Sequence, residues 1–362
     1  MKKLLLLFLF LASTLTLHAQ TDSIRSSFSV SGYAEIYYLY DFNQPDNHTL
    51  PDFLFSFNRH NEFNLNFGFV QLDYQSQRVR GKLALMAGTY ANANLAAEPG
   101  VLKNIFEANI GVKLSKEKNT WLDAGVFASH LGFESAIGAD CWNLTRSLVA
   151  ENSPYFLSGM KITHTSENGK WLVSGIVSNG WQRMQRLEGN QMPGFGHQLT
   201  WMPQEGVTLN SSSFFGSDTP AGADQLRFFH DFYGIFEISD RFGLIAGLDF
   251  GIEQRAPRRS NVDSWYGAAV IARFKLNEKL HLAGRAEYFQ DESGIIIDTG
   301  TPNGFQTFGY SLNFDAAITE NTLWRLEARA FSSSGDAIFL RDGTAVSGNV
   351  LVSTSLSMRF GK

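Results

Sequence analysis

The side chains of this sequence that could do chemistry fall into two sets. The first lies within residues 130–154, a polar stretch carrying Glu134, Asp140, Asn143, Arg146 and Glu151. The second recurs at alternate positions towards the C-terminus: Arg273, Arg285, Arg325, Arg329 and Arg359, interleaved with Glu287, Asp315 and Glu327. Acids facing bases across a gap would set up a transverse field, which orients dipolar solutes and penalises large apolar ones. The bland alternative is a ladder of ion pairs bracing a wall, with the acids of the loop solvated. Catalysis finds less support. His130, His164, His197, His230 and His281 are scattered without a spacing that suits a metal. Serines are plentiful, but no nucleophile elbow is present. Gly194-Phe195-Gly196 precedes no helix, so it is not a phosphate loop. Asp46-Asn47-His48 is a weak calcium signal. No catalytic residue, metal or cofactor is expected.

Strands must position these groups. In the last stretch, residues 349–360, Val350, Val352, Thr354, Leu356, Met358 and Phe360 share one face. Leu351, Ser353, Ser355, Ser357 and Arg359 share the other. Strand side chains alternate strictly, so this segment has an oily face and a wet one. The same alternation appears at 28–40, where Glu35 opposes Ile36 and Tyr38. At 105–115, Phe106, Ala108, Ile110, Val112 and Leu114 oppose Glu107, Asn109 and Lys113. Asp123 and Asp249 take inward positions on their own strands, and the pattern predicts sixteen strands with no helix. Short polar connections such as Glu167-Asn168-Gly169 and Asn277-Glu278-Lys279 alternate with long ones, of which 130–154 is the longest. The expected fold is all-β: one antiparallel transmembrane β-barrel with short periplasmic turns and long extracellular loops. Tyr38, Tyr40, Trp121, Trp171, Trp181, Trp201, Tyr266, Tyr288, Trp324 and Phe360 lie near strand ends, where rings can meet a lipid–water boundary.

Composition agrees. The chain holds 31 Phe and 33 Gly, yet its mean hydropathy is only −0.14, so apolar content is spread by alternation. Lys2 and Lys3, an apolar run at 4–11 and Leu17-His18-Ala19 read as a signal peptide, residues 1–19, leaving 20–362 as a single barrel domain. Losing Lys2 and Lys3 with it takes the formal charge from −5 to −7, which gives no reason to expect nucleic acid. Cys141 stands alone, so closure of the hydrogen-bond ladder must replace disulfides. The chain is too short for a plugged transporter of 22 strands.

The middle of the chain resembles the OmpL-like β-barrel porin family of Bacteroidota-type outer membranes. The likeness rests on Gly88-Thr89-Tyr90, Ile105-Phe106-Glu107-Ala108, Asp123-Ala124-Gly125-Val126-Phe127 and Ser129-His130-Leu131-Gly132-Phe133-Glu134-Ser135. Asn143-Leu144-Thr145-Arg146-Ser147, Pro154-Tyr155-Phe156-Leu157-Ser158-Gly159 and Ser178-Asn179-Gly180-Trp181 continue it. Gly361 and Lys362 depart from it, since many barrels end on the aromatic itself. The resemblance implies a pore-forming protein of the cell outer membrane. By analogy with diffusion porins, the loop 130–154 folds inward, and Glu134, Asp140, Asn143, Arg146 and Glu151 line a constriction. The alternative is a loop that covers the outer face. Arginine on a lipid face costs roughly 2–4 kcal/mol at mid-membrane, so strand charges belong inside. Glu35, Glu107, Lys113, Asp123, Asp249, Arg273, Arg285, Glu287, Asp315, Arg325, Glu327, Arg329 and Arg359 are accordingly expected to line the lumen. The expected function is passive diffusion of small hydrophilic solutes, without enzymatic activity. Adhesion by the loops is the runner-up, and a barrel-borne hydrolase a third reading. Expected partners are outer-membrane lipid, the barrel-assembly machinery, small solutes and further copies of the chain.

Overall fold

The computed structural model describes residues 26–220, 225–255 and 261–361. The expected leader at 1–19 lies outside the described residues. The strands are β1 (Ser27–Asp41), β2 (Phe63–Gln75), β3 (Val79–Ala87), β4 (Ile105–Lys113), β5 (Asn119–Ala128) and β6 (Phe156–Thr165). Then come β7 (Trp171–Ser178), β8 (Gly194–Trp201), β9 (Val207–Gly216), β10 (Arg227–Glu237) and β11 (Phe242–Gln254). The chain continues through β12 (Val262–Lys275), β13 (Leu280–Asp291), β14 (Phe305–Thr319) and β15 (Thr322–Ser333). A small hairpin, β16 (Phe339–Arg341) and β17 (Thr344–Val346), decorates the last long loop before β18 (Gly348–Gly361).

Sixteen of these strands form one closed antiparallel barrel, in which β18 pairs with β1 from Leu351 opposite Asp41 to Gly361 opposite Ser31. Closure leaves neither edge unpaired, so the backbone is satisfied without disulfides. Its outer surface is apolar: Phe28, Val70, Ile110, Phe232, Leu248, Leu312 and Leu356 all stand exposed. A belt of this kind is unfavourable in water and suited to lipid. No helix among the described residues is long and apolar enough to cross a membrane.

Three expectations are corrected. Two short helices occur where none was expected, α1 (Thr89–Asn94) and α2 (Leu148–Glu151), both within long loops. Phe106 does not face out. The β3–β4 register shifts between Ala84 and Leu85, which turns Phe106 onto the Phe67 ring at 5.0 Å. Trp121 and Trp181 leave the expected girdle: Trp121 is buried under the Arg80 guanidinium, and Trp181 packs on Phe214 and Phe229. Trp171, Trp201, Tyr266, Trp324 and Phe360 do stand exposed on the outer face.

Candidate functional site in the barrel interior

Residues 129–155 join β5 to β6 and run through the barrel interior to its far wall. The path is fixed by hydrogen bonds to side chains that alternation points inward. His130 reaches the Ser213 carbonyl of β9 at 2.8 Å. It passes where Gly196 lies, since a Cβ there would sit 2.7 Å from its Nε2. Burial pushes the His130 imidazole down to about 4, against some support from its bond to Ser213. A 3-10 turn at Gly138–Asp140 then meets β1, where the Ala139 N–H donates to the Tyr33 hydroxyl at 3.2 Å.

The far wall, β13 to β15, grips the next segment. Asn143 donates to Ser311 at 3.0 Å, and the Leu144 N–H donates to Asn313 at 3.0 Å. Thr145 gives both its N–H and its hydroxyl to the Glu327 carboxylate, at 2.6 and 2.8 Å. Arg285 donates to the Thr145 carbonyl at 2.7 Å and lies 3.3 Å from both Glu327 and Glu287. Arg329 holds Glu287 at 2.7 Å, and Glu287 in turn accepts the Leu148 N–H at 2.6 Å. Arg325 spans Asp315 at 2.7 Å and the loop carbonyls of Gly138 and Cys141 at 2.8 and 2.9 Å. These are charge-assisted contacts in a dry setting, where each bond is stronger than in water.

The loop's own charges are spent inside the loop and on its neighbours. Arg146, fully buried, donates to the carbonyls of Ser135 and Leu144 at 2.6 and 2.7 Å. Glu134 accepts from the Ser147 N–H at 2.8 Å and from the Ser147 hydroxyl, while Ser147 caps α2. Glu151 accepts the N–H groups of Phe55 and Ser56 at 2.9 and 3.2 Å, which ties down residues 42–62. Burial raises the Glu151 carboxyl above its ordinary range despite those bonds. Asp140 pairs with Arg359 and is the exposed member of the group.

Glu134, Asn143, Arg146 and Glu151 are thus brought together with Arg285, Glu287, Asp315, Arg325, Glu327 and Arg329. The inward parity of the strand charges holds, but these groups lie beneath the loop with almost no exposure. Their arrangement is the ion-pair ladder rather than an open field. Glu35, also buried, accepts from Asn66 at 3.0 Å, and Asp249 lies in register with Asp231. Arg273 pairs with Glu237 at 3.1 Å and covers Trp142. Lys113 is half-buried on β4.

The remaining candidates, Glu107 and Asp123, line a different space. On β2 to β6 a cavity of about 350 Å³ is bounded by Asp73, Arg80, Lys82, Glu107, Asn109, Asp123 and Lys161. Arg80 pairs with Asp123 at 2.5 Å and Lys82 with Glu107 at 3.2 Å. Lys161 lies over the Phe127 ring at 4.7 Å. Arg80, Lys82 and Lys161 were not singled out from the sequence. Their signal was present, since Lys161 alternates with Met160 and Ile162 as an inward residue must.

The family model described as "Putative beta-barrel porin-2, OmpL-like" matches residues 27–360. Among solved structures, the anion-selective porin of Comamonas acidovorans is 6% identical with a TM-score of 0.62, covering 92% of this chain and 100% of that one. OmpF of Salmonella typhi in complex with daunomycin is 9% identical, with a TM-score of 0.60 and coverages of 92% and 97%. The outer-membrane channel DcaP of Acinetobacter baumannii is 12% identical, with a TM-score of 0.59 and coverages of 92% and 97%. At such identities the likeness is one of fold. No curated protein sequence matches the chain significantly.

Proposed function

The chain belongs to the OmpL-like β-barrel porins, and from that premise we propose that it is a non-enzymatic outer-membrane channel for passive diffusion of small hydrophilic solutes. One observation carries the reading: residues 129–155 cross the interior of a closed barrel and are bonded to its far wall through Thr145, Leu148, Glu287 and Glu327. A loop held this way narrows a wide barrel from one side. The wall that it leaves uncovered carries Asp73, Arg80, Lys82, Glu107, Asn109, Asp123 and Lys161, and we assign the solute path to that side. Opposite charges there are mostly paired, which suits polar solutes and gives weak discrimination by charge.

Planar-bilayer recording tests the reading directly. A stable open channel with ohmic current, reduced by small sugars added as competitors, is the expected result. A purified, folded barrel that conducts nothing would overturn it.

A further inference from the structure

The outward faces of the strands are apolar along the middle of the belt, with one contiguous exception. On β8, β9 and β10, His197 lies opposite Ser213, and Ser213 lies opposite His230. All three point away from the lumen, as does Ser211 on β9. Phe195, Leu199, Phe215, Phe228 and Phe232 surround them, each exposed. Other outward polar residues among those described lie near strand ends, such as His164, Ser264 and Gln290. Girdle tyrosines and tryptophans aside, Thr354 is the mid-belt case, and its hydroxyl donates to the Arg325 carbonyl.

The four side chains form a network of their own. Ser213 Oγ lies 2.6 Å from His197 Nδ1, and Ser211 Oγ lies 3.1 Å from His230 Nε2. The two imidazoles are 5.7 Å apart between ring centroids. One nitrogen of each ring is used, which leaves His197 Nε2 and His230 Nδ1 without a hydrogen-bond partner among the described residues. Trp201, four residues along β8 from His197, stacks on Trp171 at 5.4 Å and marks the nearer membrane boundary. The patch therefore lies at mid-membrane depth, where neither water nor a lipid headgroup can satisfy the free nitrogens.

We propose that this face packs against the same face of a second copy of the chain, about a twofold axis parallel to the bilayer normal and close to Ser213. Self-pairing follows from the chemistry of the groups. A neutral imidazole and a hydroxyl each offer both a donor and an acceptor, so the patch is complementary to itself. An interface of this kind is isologous, each residue meeting its counterpart's surroundings. Gly175 lies beside the His197 ring in the same row and leaves a recess for a ring of the partner, while Ser213 lies buried between the two imidazoles. Small residues beside polar ones are what let membrane-embedded elements approach closely and hydrogen-bond across.

The test uses the full chain in outer membranes, with Leu199→Cys and Phe232→Cys as separate reporters beside the patch and Ile36→Cys as the control. Ile36 is exposed on β1, diametrically across the ring from β9, and the native Cys141 is buried. Oxidation with copper phenanthroline should give a disulfide-linked homodimer from at least one of the two reporters and none from the control. In a second arm, His197→Leu combined with His230→Leu should shift the purified protein from dimer to monomer by light scattering in detergent. Its heat-modifiable gel mobility, a report on the folded barrel, should not change. The proposal fails if neither reporter cross-links, or if Ile36→Cys links equally well. It fails equally if the wild type is monomeric, which would leave the patch to lipid, or if the linked partner has another mass. Should the double variant misfold, the cysteine reporters alone decide.

Discussion

Glu327 accepts two hydrogen bonds from Thr145 and lies 3.3 Å from Arg285, with both charged groups fully buried. Removing one member of such a buried pair costs about 3–5 kcal/mol, because its partner is left uncompensated. Glu287 remains 3.3 Å from Arg285, so the loss in Glu327→Gln should fall at the lower end. A fall in melting temperature together with noisier open-channel current is expected, measured in detergent and in bilayers. His130 gives a pH dependence. Its folded value of about 4 lies below the ordinary 6.5, so the folded state holds fewer protons than the unfolded one between these values. The associated stability is present above pH 6.5 and is lost as pH falls towards 4. At 1.36 kcal/mol per pH unit the loss amounts to about 3 kcal/mol. His130→Gln can still donate to the Ser213 carbonyl and does not titrate. Its melting temperature should therefore decline less than that of the wild type between pH 7 and pH 4, and an identical decline would place the acid sensitivity elsewhere.

Residues 129–155 act as one element because their anchors are spread over β1, β9 and β13 to β15. Deleting 144–151 removes the contacts to Glu327 and Glu287 as well as the Glu151 anchor. Single-channel conductance should then rise roughly twofold or more, as the narrowing side of the passage is withdrawn. Unchanged conductance would mean that the loop lies outside the current path. The strands that frame this loop were readable because alternation is a local property: Glu35, Arg325 and Ser357 face inward by parity alone. The loop's destination was not. Thr145 meets Glu327 across 182 positions of sequence, and no local pattern encodes that meeting. The charges at Glu134, Arg146 and Glu151 looked like groups awaiting solute, and they turn out to be caps and ties of the loop itself. Phe106 was misplaced for a related reason, since a bulge depends on the neighbouring strand, whereas Trp121 shares the parity of Asp123 and alternation alone turns it inward.

At the scale of the whole barrel, the interior divides into a side packed beneath the loop and a side that opens on a cavity, and charges on the two should behave differently. Arg329 is buried beneath the loop against Glu287. Lys161 faces the cavity of β2 to β6, where Arg80 and Lys82 have carboxylate partners. Asp73 lines the same cavity, so its three acids and three bases balance, and reversing one of them leaves a field that is weakly screened where the walls are of low dielectric. Wild-type channels in a salt gradient should therefore show little preference between anions and cations. Lys161→Glu should move the reversal potential towards cations by several millivolts, and more strongly at low ionic strength than at high. Arg329→Gln should lower the melting temperature by destabilising Glu287, yet leave the reversal potential near its original value, because its charge never faces the moving ions. If the two substitutions shifted the reversal potential equally, the division of the barrel into a braced wall and an open one would be lost, and the path would have to run along β13 to β15 instead.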